Sequence, residues 1–138
     1  MLIVAPRLRV TDKPYVLDAS ALLAAFFNEP GADHVAERMS GALLSAANHA
    51  EVVAKLVDRG TPREQILEIM GQLDVEVVPV DQAQATTAGL LRDSTRSAGL
   101  SLGDRLCLAL AISRDAVALT TDRVWADLEL GATVEVAR

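Results

Sequence analysis

The sequence predicts an α/β fold in which helices cover both faces of a mostly parallel sheet. Short apolar runs alternate with helix-forming segments from residue 15 onwards, and this alternation builds parallel sheets through right-handed crossovers. The 138 residues, 51% of them hydrophobic, are enough for the core of one compact domain. Acidic residues follow some of the predicted strands, where the ligand sites of parallel sheets lie.

The first part of the chain is predicted to contain three strands and four helices. Residues 15–17 form a strand that leads directly into a helix over residues 19–27, and a turn occupies residues 28–31. A helix over 32–39, a strand over 42–44 and a long helix over 46–58 follow, and Gly60 ends the last of them. Thr61 is the predicted N-cap of the next helix, with Pro62 as its first helical residue. Residues 75–80 are β-branched, and Pro79 restricts this strand to a sheet edge or to a strand end.

The second part of the chain predicts two more helices and two more strands. A helical pattern runs from residue 81 to about residue 98, and Gly99 ends it. Ser101 opens a helix over residues 102–114. Residues 116–119 are predicted to form a buried strand, and residues 134–136 a last, peripheral one.

Apolar runs surround four acids: Asp18, Glu51, Asp104 and Asp122. Each of them also has a purely structural explanation. Asp18 precedes a helix and is a good N-cap residue. Glu51 is spaced to form an ion pair with Lys55 one helical turn later, which is worth only about 0.2–0.5 kcal/mol.

The other two acids have equally ordinary explanations. Asp104 follows Ser101 at the spacing of a capping box, and Asp122 favours a turn by bonding its own backbone. However, Asp18 and Asp122 both follow parallel strands, so they are expected at the same edge of the sheet. The joint placement of the four acids predicts a functional site.

Carboxylates that gather at one point cannot all stay ionised unless a cation neutralises them. Oxygen ligands select a hard divalent ion, so Mg²⁺ is the expected cofactor and Mn²⁺ a possible substitute. A transition-metal site is not favoured, because Cys107 is the single cysteine and His34 and His49 lack a partner at ligand spacing. Carboxylate-bound Mg²⁺ suits the metal-assisted attack of water on a phosphodiester.

Four segments in order resemble a PIN-domain ribonuclease of the VapC type, the toxin of type II VapBC toxin–antitoxin pairs. They are VLDASALLAAFFNEPGAD, SAANHAEVVAKL, LSLGDRLCLALA and ALTTDRVWADL. The resemblance covers about residues 15–138. It implies a PIN-like three-layer α/β/α sandwich and a Mg²⁺-dependent endoribonuclease, which is a homodimer and is inhibited by a small VapB-type antitoxin.

The family's acidic positions fall on Asp18, Glu51, Asp104 and Asp122, which the resemblance implies are catalytic residues and metal ligands. Ser20 and Thr121 would then be supporting polar groups. Helix capping by Ser20 and turn bonding by Thr121 are the alternatives.

The sequence departs from the family's usual pattern in two respects. Residues 1–14 precede the expected PIN domain, residues 15–138, as an extension that is a disordered tail, an edge strand or a misplaced start. The net charge of −6 argues against a general electrostatic nucleic-acid binder, so phosphate contacts are expected from the metal and from a local set of arginines: Arg92, Arg96, Arg105 and Arg123.

Neither a membrane-spanning segment nor a signal peptide is evident, and a cytoplasmic protein is expected. The alternatives to a toxin are a solitary PIN nuclease with a housekeeping RNA substrate, a phospho-acceptor domain, and a binding module in which the acids are only caps.

Overall fold

The structure, a computed structural model, describes residues 13–138, and in this part of the chain helices flank a five-stranded parallel sheet. The elements in chain order are β1 (Tyr15–Leu17), α1 (Ala19–Phe26), α2 (Ala32–Ala36), β2 (Ala42–Ser45), α3 (Ala46–Asp58), α4 (Arg63–Gln72), β3 (Val75–Val78), α5 (Gln82–Leu90), α6 (Arg92–Thr95), α7 (Leu102–Arg114), β4 (Val117–Thr120), a 3₁₀ helix (Arg123–Asp127) and β5 (Thr133–Val136). The predicted α/β/α sandwich is confirmed.

The strand order β3-β2-β1-β4-β5 determines where a site forms. The chain builds outward from β1 to β2 and β3, and then returns across the sheet to place β4 on the other side of β1. Such a reversal opens a crevice at the carboxyl ends of the two strands that flank it. The crevice here lies between β1 and β4, and Asp18 directly follows β1.

Each face of the sheet carries its own apolar core, because successive side chains of a strand point to opposite faces. In β1, Val16 packs in the cluster that contains Leu108 of α7, whereas Leu17 packs with Leu22 of α1 and Val52 of α3. Helices therefore cover both faces, and the helices that follow β1 and β2 begin at the carboxyl edge.

Local capping explains why α3 and α7 have the predicted bounds. The Ser45 hydroxyl accepts a hydrogen bond from the Ala47 amide at the start of α3, and Ser101 caps α7 in the same way through the Asp104 amide. Gly60, with a φ of 82°, ends α3 in a Schellman turn, in which the Gly60 amide bonds the Val57 carbonyl.

This turn also explains why the predicted N-cap of α4 was wrong. The Thr61 amide bonds the Leu56 carbonyl at 3.0 Å and so completes the Schellman turn that ends α3. Pro62 keeps an extended conformation in the N-cap position, and α4 begins one residue later, at Arg63.

Two further helices are shorter than predicted. α2 ends at Ala36 rather than at residue 39. The helix predicted over residues 81–98 is divided into α5 and α6 at Leu91, whose ψ of −12° tightens the backbone towards 3₁₀ geometry. Pro79 directly follows β3, which is an edge strand, as predicted.

Most of the predicted extension, residues 1–14, lies outside the described residues. Its last two residues are described: Lys13 forms an ion pair with Asp115, and the Pro14 carbonyl accepts a hydrogen bond from Val117. Within residues 13–138, no helix has the length and apolar character needed to cross a membrane.

Candidate active site

Asp18 occupies the N-cap position of α1, but its side chain does not cap the helix. Its Oδ2 atom instead accepts hydrogen bonds from the Ser20 hydroxyl at 2.6 Å and from the Thr120 hydroxyl at 2.9 Å. The capping explanation for Asp18 is therefore wrong. The carboxylate is buried, with an exposed fraction of 3%.

Two backbone amides orient the hydroxyls that hold Asp18. The Thr121 amide donates to Ser20 Oγ at 3.2 Å, and the Asp122 amide donates to Thr120 Oγ1 at 3.1 Å. Each hydroxyl oxygen thus accepts a hydrogen bond from an amide, and each hydroxyl proton is donated to Asp18 Oδ2, because an ionised carboxylate can only accept. The turn after β4 thus fixes the orientation of the carboxylate that follows β1.

The pKa of Asp18 is raised from 3.8 to about 6, chiefly by burial. The negative charges of Asp104 and Glu51 contribute to this rise, and the hydrogen bonds from Ser20 and Thr120 act against it. The two acids that contribute to this rise, Glu51 and Asp104, lie on helices at the same edge of the sheet as Asp18. In its ionised form Asp18 lacks a neutralising partner among these neighbours.

Glu51 is held on α3 by a buried amide. Asn48 Nδ2 donates to Glu51 Oε1 at 2.7 Å and to the Gly103 carbonyl of α7 at 3.1 Å, so a single side chain joins the two helices. Gly103 lies so close that a Cβ atom there would overlap the Glu51 carboxylate. The glycine therefore provides the space in which the Glu51 carboxylate lies.

Asp104 lies in the first turn of α7 and forms the predicted capping box. Its Oδ2 atom accepts a hydrogen bond from the Ser101 amide at 2.9 Å, and its own amide donates to Ser101 Oγ at 3.1 Å. The capping explanation for Asp104 is thus correct. The box orients the half-buried carboxylate at the same edge as Asp18 and Glu51.

The side chain of Asp122 bonds its own turn. Asp122 is exposed, and its Oδ1 atom accepts a hydrogen bond from the Val124 amide at the start of the 3₁₀ helix. It is absent from the interactions that raise the pKa of Asp18. Its connection to the site runs through its backbone amide and Thr120, and its assignment as a metal ligand stays a prediction.

The three grouped acids do not form a closed metal cage, since no set of three Asp, Glu, His or Cys side chains in the described part of the chain is arranged to hold an ion. Their chemistry nevertheless fits a divalent cation. A buried carboxylate whose ionised form is opposed by burial and by two acidic neighbours is stabilised when a cation binds beside it.

The profile of the PIN domain matches residues 15–130. The chain belongs to the PIN-domain family. Members of this family are nucleases, so the match supports a hydrolase that acts on nucleic acid, and PIN nucleases generally use divalent metal ions. No curated protein sequence matches this PIN domain.

Solved toxin–antitoxin structures share the fold of this PIN domain. A toxin–antitoxin complex from Klebsiella pneumoniae has a TM-score of 0.70 at 17% identity, over 90% of this chain and 98% of the other. A DNA-bound VapBC from Salmonella typhimurium has a TM-score of 0.71 at 17% identity, over 91% and 99%. VapBC2 from Rickettsia felis, bound to a promoter DNA fragment, has a TM-score of 0.67 at 19% identity, over 90% and 98%.

Two residues of the PIN domain's site were missed by the sequence analysis. Thr120 is fully buried and bonds Asp18, and it is the last residue of β4, one residue beyond the strand predicted over residues 116–119. Asn48 precedes Glu51 by three residues on α3, a spacing at which helical side chains meet. The spacing could have predicted the contact between Asn48 and Glu51. The contact between Thr120 and Asp18 follows only from the pairing of β1 with β4.

One of the four predicted phosphate-binding arginines has a different role. Arg105 is buried, and its Nη1 atom donates to the Ala88 carbonyl at 2.9 Å, which joins α7 to α5. Arg92, Arg96 and Arg123 are exposed.

Of the two histidines, His34 bonds Glu135 and His49 is half-buried. Burial raises the pKa of the Cys107 thiol, which is a neutral core side chain.

Proposed function

We propose that this PIN domain is a Mg²⁺-dependent endoribonuclease toxin of the VapC type, restrained by a VapB-type antitoxin. The observation that carries the proposal is the buried carboxylate of Asp18, oriented by two hydroxyls and placed in electrostatic range of Glu51 and Asp104. A structural acid at this position would be expected to cap its helix, and Asp18 does not.

The residues around Asp18 fix the orientation of its carboxylate. Both hydroxyls donate to the same oxygen, Oδ2, so the plane of the carboxylate is fixed before any substrate binds. Asn48 and the space at Gly103 hold the Glu51 carboxylate in the same region. Asp18, Glu51 and Asp104 would hold the cation, with Asp122 as a further candidate.

When bound, Mg²⁺ supplies positive charge that neutralises these acids and lowers the pKa of a coordinated water. An acid that does not bind the metal is available to accept a proton from the attacking water. Attack of the water oxygen on phosphorus would form a new P–O bond and break the bond to the leaving oxygen, which would take a proton from solvent. The Ser20 and Thr121 side chains are the proposed supporting polar groups at this end of the sheet.

The solved complexes with the same fold support a VapB-type partner, because each is a toxin–antitoxin or VapBC structure that the chain matches over about nine-tenths of its length. Large exposed apolar side chains, such as Leu67 at 59% and Leu90 at 77%, are candidates for the contacts of a homodimer or of an antitoxin. RNA as substrate and the cytoplasm as location belong to the same proposal.

Cleavage of single-stranded RNA by the purified protein tests the proposal. We expect cleavage with Mg²⁺, none with EDTA, and a loss of at least about 100-fold in Asp18→Asn. Asp115→Asn is the matched control, because it makes the same chemical change at an exposed residue at the opposite edge of the sheet. Parental cleavage by Asp18→Asn, or undiminished cleavage in EDTA, would overturn the proposal.

The neighbouring reading frame separates the toxin from a solitary PIN nuclease. A short adjacent gene that encodes a DNA-binding segment followed by a polar, basic tail is expected for a toxin. Co-expression of its product should suppress the RNA cleavage, and an absence of suppression would favour the solitary nuclease.

A further inference from the structure

A cleft of about 420 Å³ opens beside the candidate active site, between α1 and α3. Its wall begins at Ser20, whose hydroxyl bonds Asp18, and at Thr121. It extends along α1 to Phe27, seven residues and about 10 Å from Ser20 at the helical rise. Lys55 lines the cleft from α3, one helical turn after Glu51 and on the same side of the helix. The cleft thus begins at a residue that bonds Asp18, beside the acids rather than between them.

A stacked pair of side chains forms the far end of the cleft. The guanidinium carbon of Arg59 lies 3.9 Å from the centre of the Phe27 ring. Glu29 lies next to the same guanidinium, with 3.6 Å between its Oε2 atom and Arg59 Nη2. Together the Phe27 ring and Glu29 restrain the Arg59 side chain, which is still 53% exposed. We call Phe27 and Arg59 the platform.

The platform has the chemistry of a base-stacking site. Proteins that bind single-stranded RNA stack unpaired bases on aromatic rings or on arginine guanidinium planes. The volume of the cleft falls near the lower end of the range of about 300–1,000 Å³ for small-ligand sites, so it suits one nucleotide rather than a duplex.

The charges along the cleft match a nucleotide that enters from the active site. Lys55 offers an ammonium group for a phosphate between the acids and the platform. Glu29 and Asp58 offer acceptors for the amino groups of a base edge, and Glu29 is already paired with Arg59. A smaller cavity of about 200 Å³ shares Glu29 and adds Arg138, which extends the cleft.

We propose that this cleft binds one nucleotide of a single-stranded RNA close to the scissile phosphate, with its base on the Phe27–Arg59 platform and a phosphate at Lys55. The inference rests on the proposed ribonuclease function and deepens it, because it assigns a substrate-binding site on the side of α1 and α3.

Binding of a fluorescein-labelled single-stranded RNA of about ten nucleotides, measured by fluorescence anisotropy at fixed salt, tests the platform. The measurement is made in the Asp18→Asn protein with EDTA, so that cleavage does not interfere. Three further substitutions are compared in this background. Arg59→Gln removes charge and guanidinium, Arg59→Lys keeps the charge and removes the plane, and Arg114→Gln removes the same charge at the opposite edge of the sheet.

We expect both Arg59 variants to raise the dissociation constant on the order of five- to a hundred-fold, the effect of losing one stacked base. Arg114→Gln should leave it unchanged. In the protein with native Asp18, the Arg59 variants should raise KM for RNA cleavage and leave kcat unchanged, because the platform binds the substrate away from the reacting atoms. Circular dichroism confirms that each variant is folded.

Two results would overturn the platform. Parental RNA affinity in Arg59→Lys would show that charge alone is needed, and parental affinity in Arg59→Gln would show that RNA does not use the cleft, which would leave a protein as its occupant. Either result, together with loss of cleavage in Asp18→Asn, would leave the ribonuclease function intact. Parental cleavage by Asp18→Asn would instead refute the ribonuclease site. The RNA dissociation constants of the Arg59 variants do not depend on that result, so the two failures are distinguishable.

Discussion

Replacing Asp18 with asparagine should make the metal-free protein more stable at neutral pH. Burial, the two hydroxyls and the two neighbouring acids together give Asp18 a pKa of about 6, compared with 3.8 for an ordinary aspartate. The difference of about two pKa units corresponds to about 3 kcal/mol, at about 1.4 kcal/mol per unit. Asparagine has nearly the same shape, keeps an oxygen for the Ser20 and Thr120 hydroxyls, and avoids the buried negative charge.

The sign of the pH dependence follows from proton binding. Between about pH 4 and pH 6 the folded protein retains a proton on Asp18 that the unfolded chain has lost, so the free energy of unfolding falls as the pH rises. Above pH 6 both states are ionised and the penalty is complete. The stability advantage of Asp18→Asn should therefore grow by about 2–3 kcal/mol between about pH 4 and pH 8.

Urea unfolding of both proteins in EDTA, followed by circular dichroism across this pH range, measures the advantage. The difference between the two proteins isolates Asp18, because the other titrating groups are common to both. A difference that does not change with pH would refute the reasoning that burial and neighbouring charge disfavour the ionised carboxylate. Saturating Mg²⁺ at pH 8 should stabilise the parent more than Asp18→Asn, since binding to the folded state raises its stability.

Two further predictions concern the position of Glu51. Gly103→Ala should lower RNA cleavage at least about tenfold by displacing the Glu51 carboxylate, and should change the free energy of unfolding by less than about 1 kcal/mol. Gly71→Ala is the control, because this glycine lies at the end of a helix with open space around it, and it should keep parental activity. Parental activity in both variants would show that displacement of the Glu51 carboxylate is harmless. Asn48→Ala removes two hydrogen bonds and should lower the free energy of unfolding in urea by about 1–3 kcal/mol. It should also lower kcat. A loss of stability with unchanged kcat would limit Asn48 to a structural role.

The sequence predicted the elements best where local signals and packing agree. The bounds of α3 and α7 follow from Ser45 and Ser101, whose hydroxyls cap their own helices, and from Gly60, which allows the left-handed turn after α3. At Thr61 two local signals competed, because the same residue resembles an N-cap and serves to end the preceding helix. In the structure Thr61 ends α3, because its amide bonds the Leu56 carbonyl of that helix.

The candidate site was predictable in its acids but not in the groups that hold them. Asp18 is recognisable from its place after an apolar strand. Its partner Thr120 is about a hundred residues away, and the two meet because the β1–β4 register pairs Leu17 with Leu119. That register depends on the packing of the whole sheet, and the sequence of either strand alone does not contain it.

Capping and catalysis were alternatives for Asp104 in the sequence, but in the structure they are compatible. The capping box fixes the Asp104 carboxylate at the N-terminus of α7, where the helix dipole favours negative charge. Asp18 likewise stands at the N-cap position of α1, whereas Glu51 lies in the second turn of α3, beyond the reach of that effect. Two helix N-termini thus partly offset the mutual repulsion of the acids, and at Asp104 the same local feature that stabilises a helix also orients a carboxylate of the site.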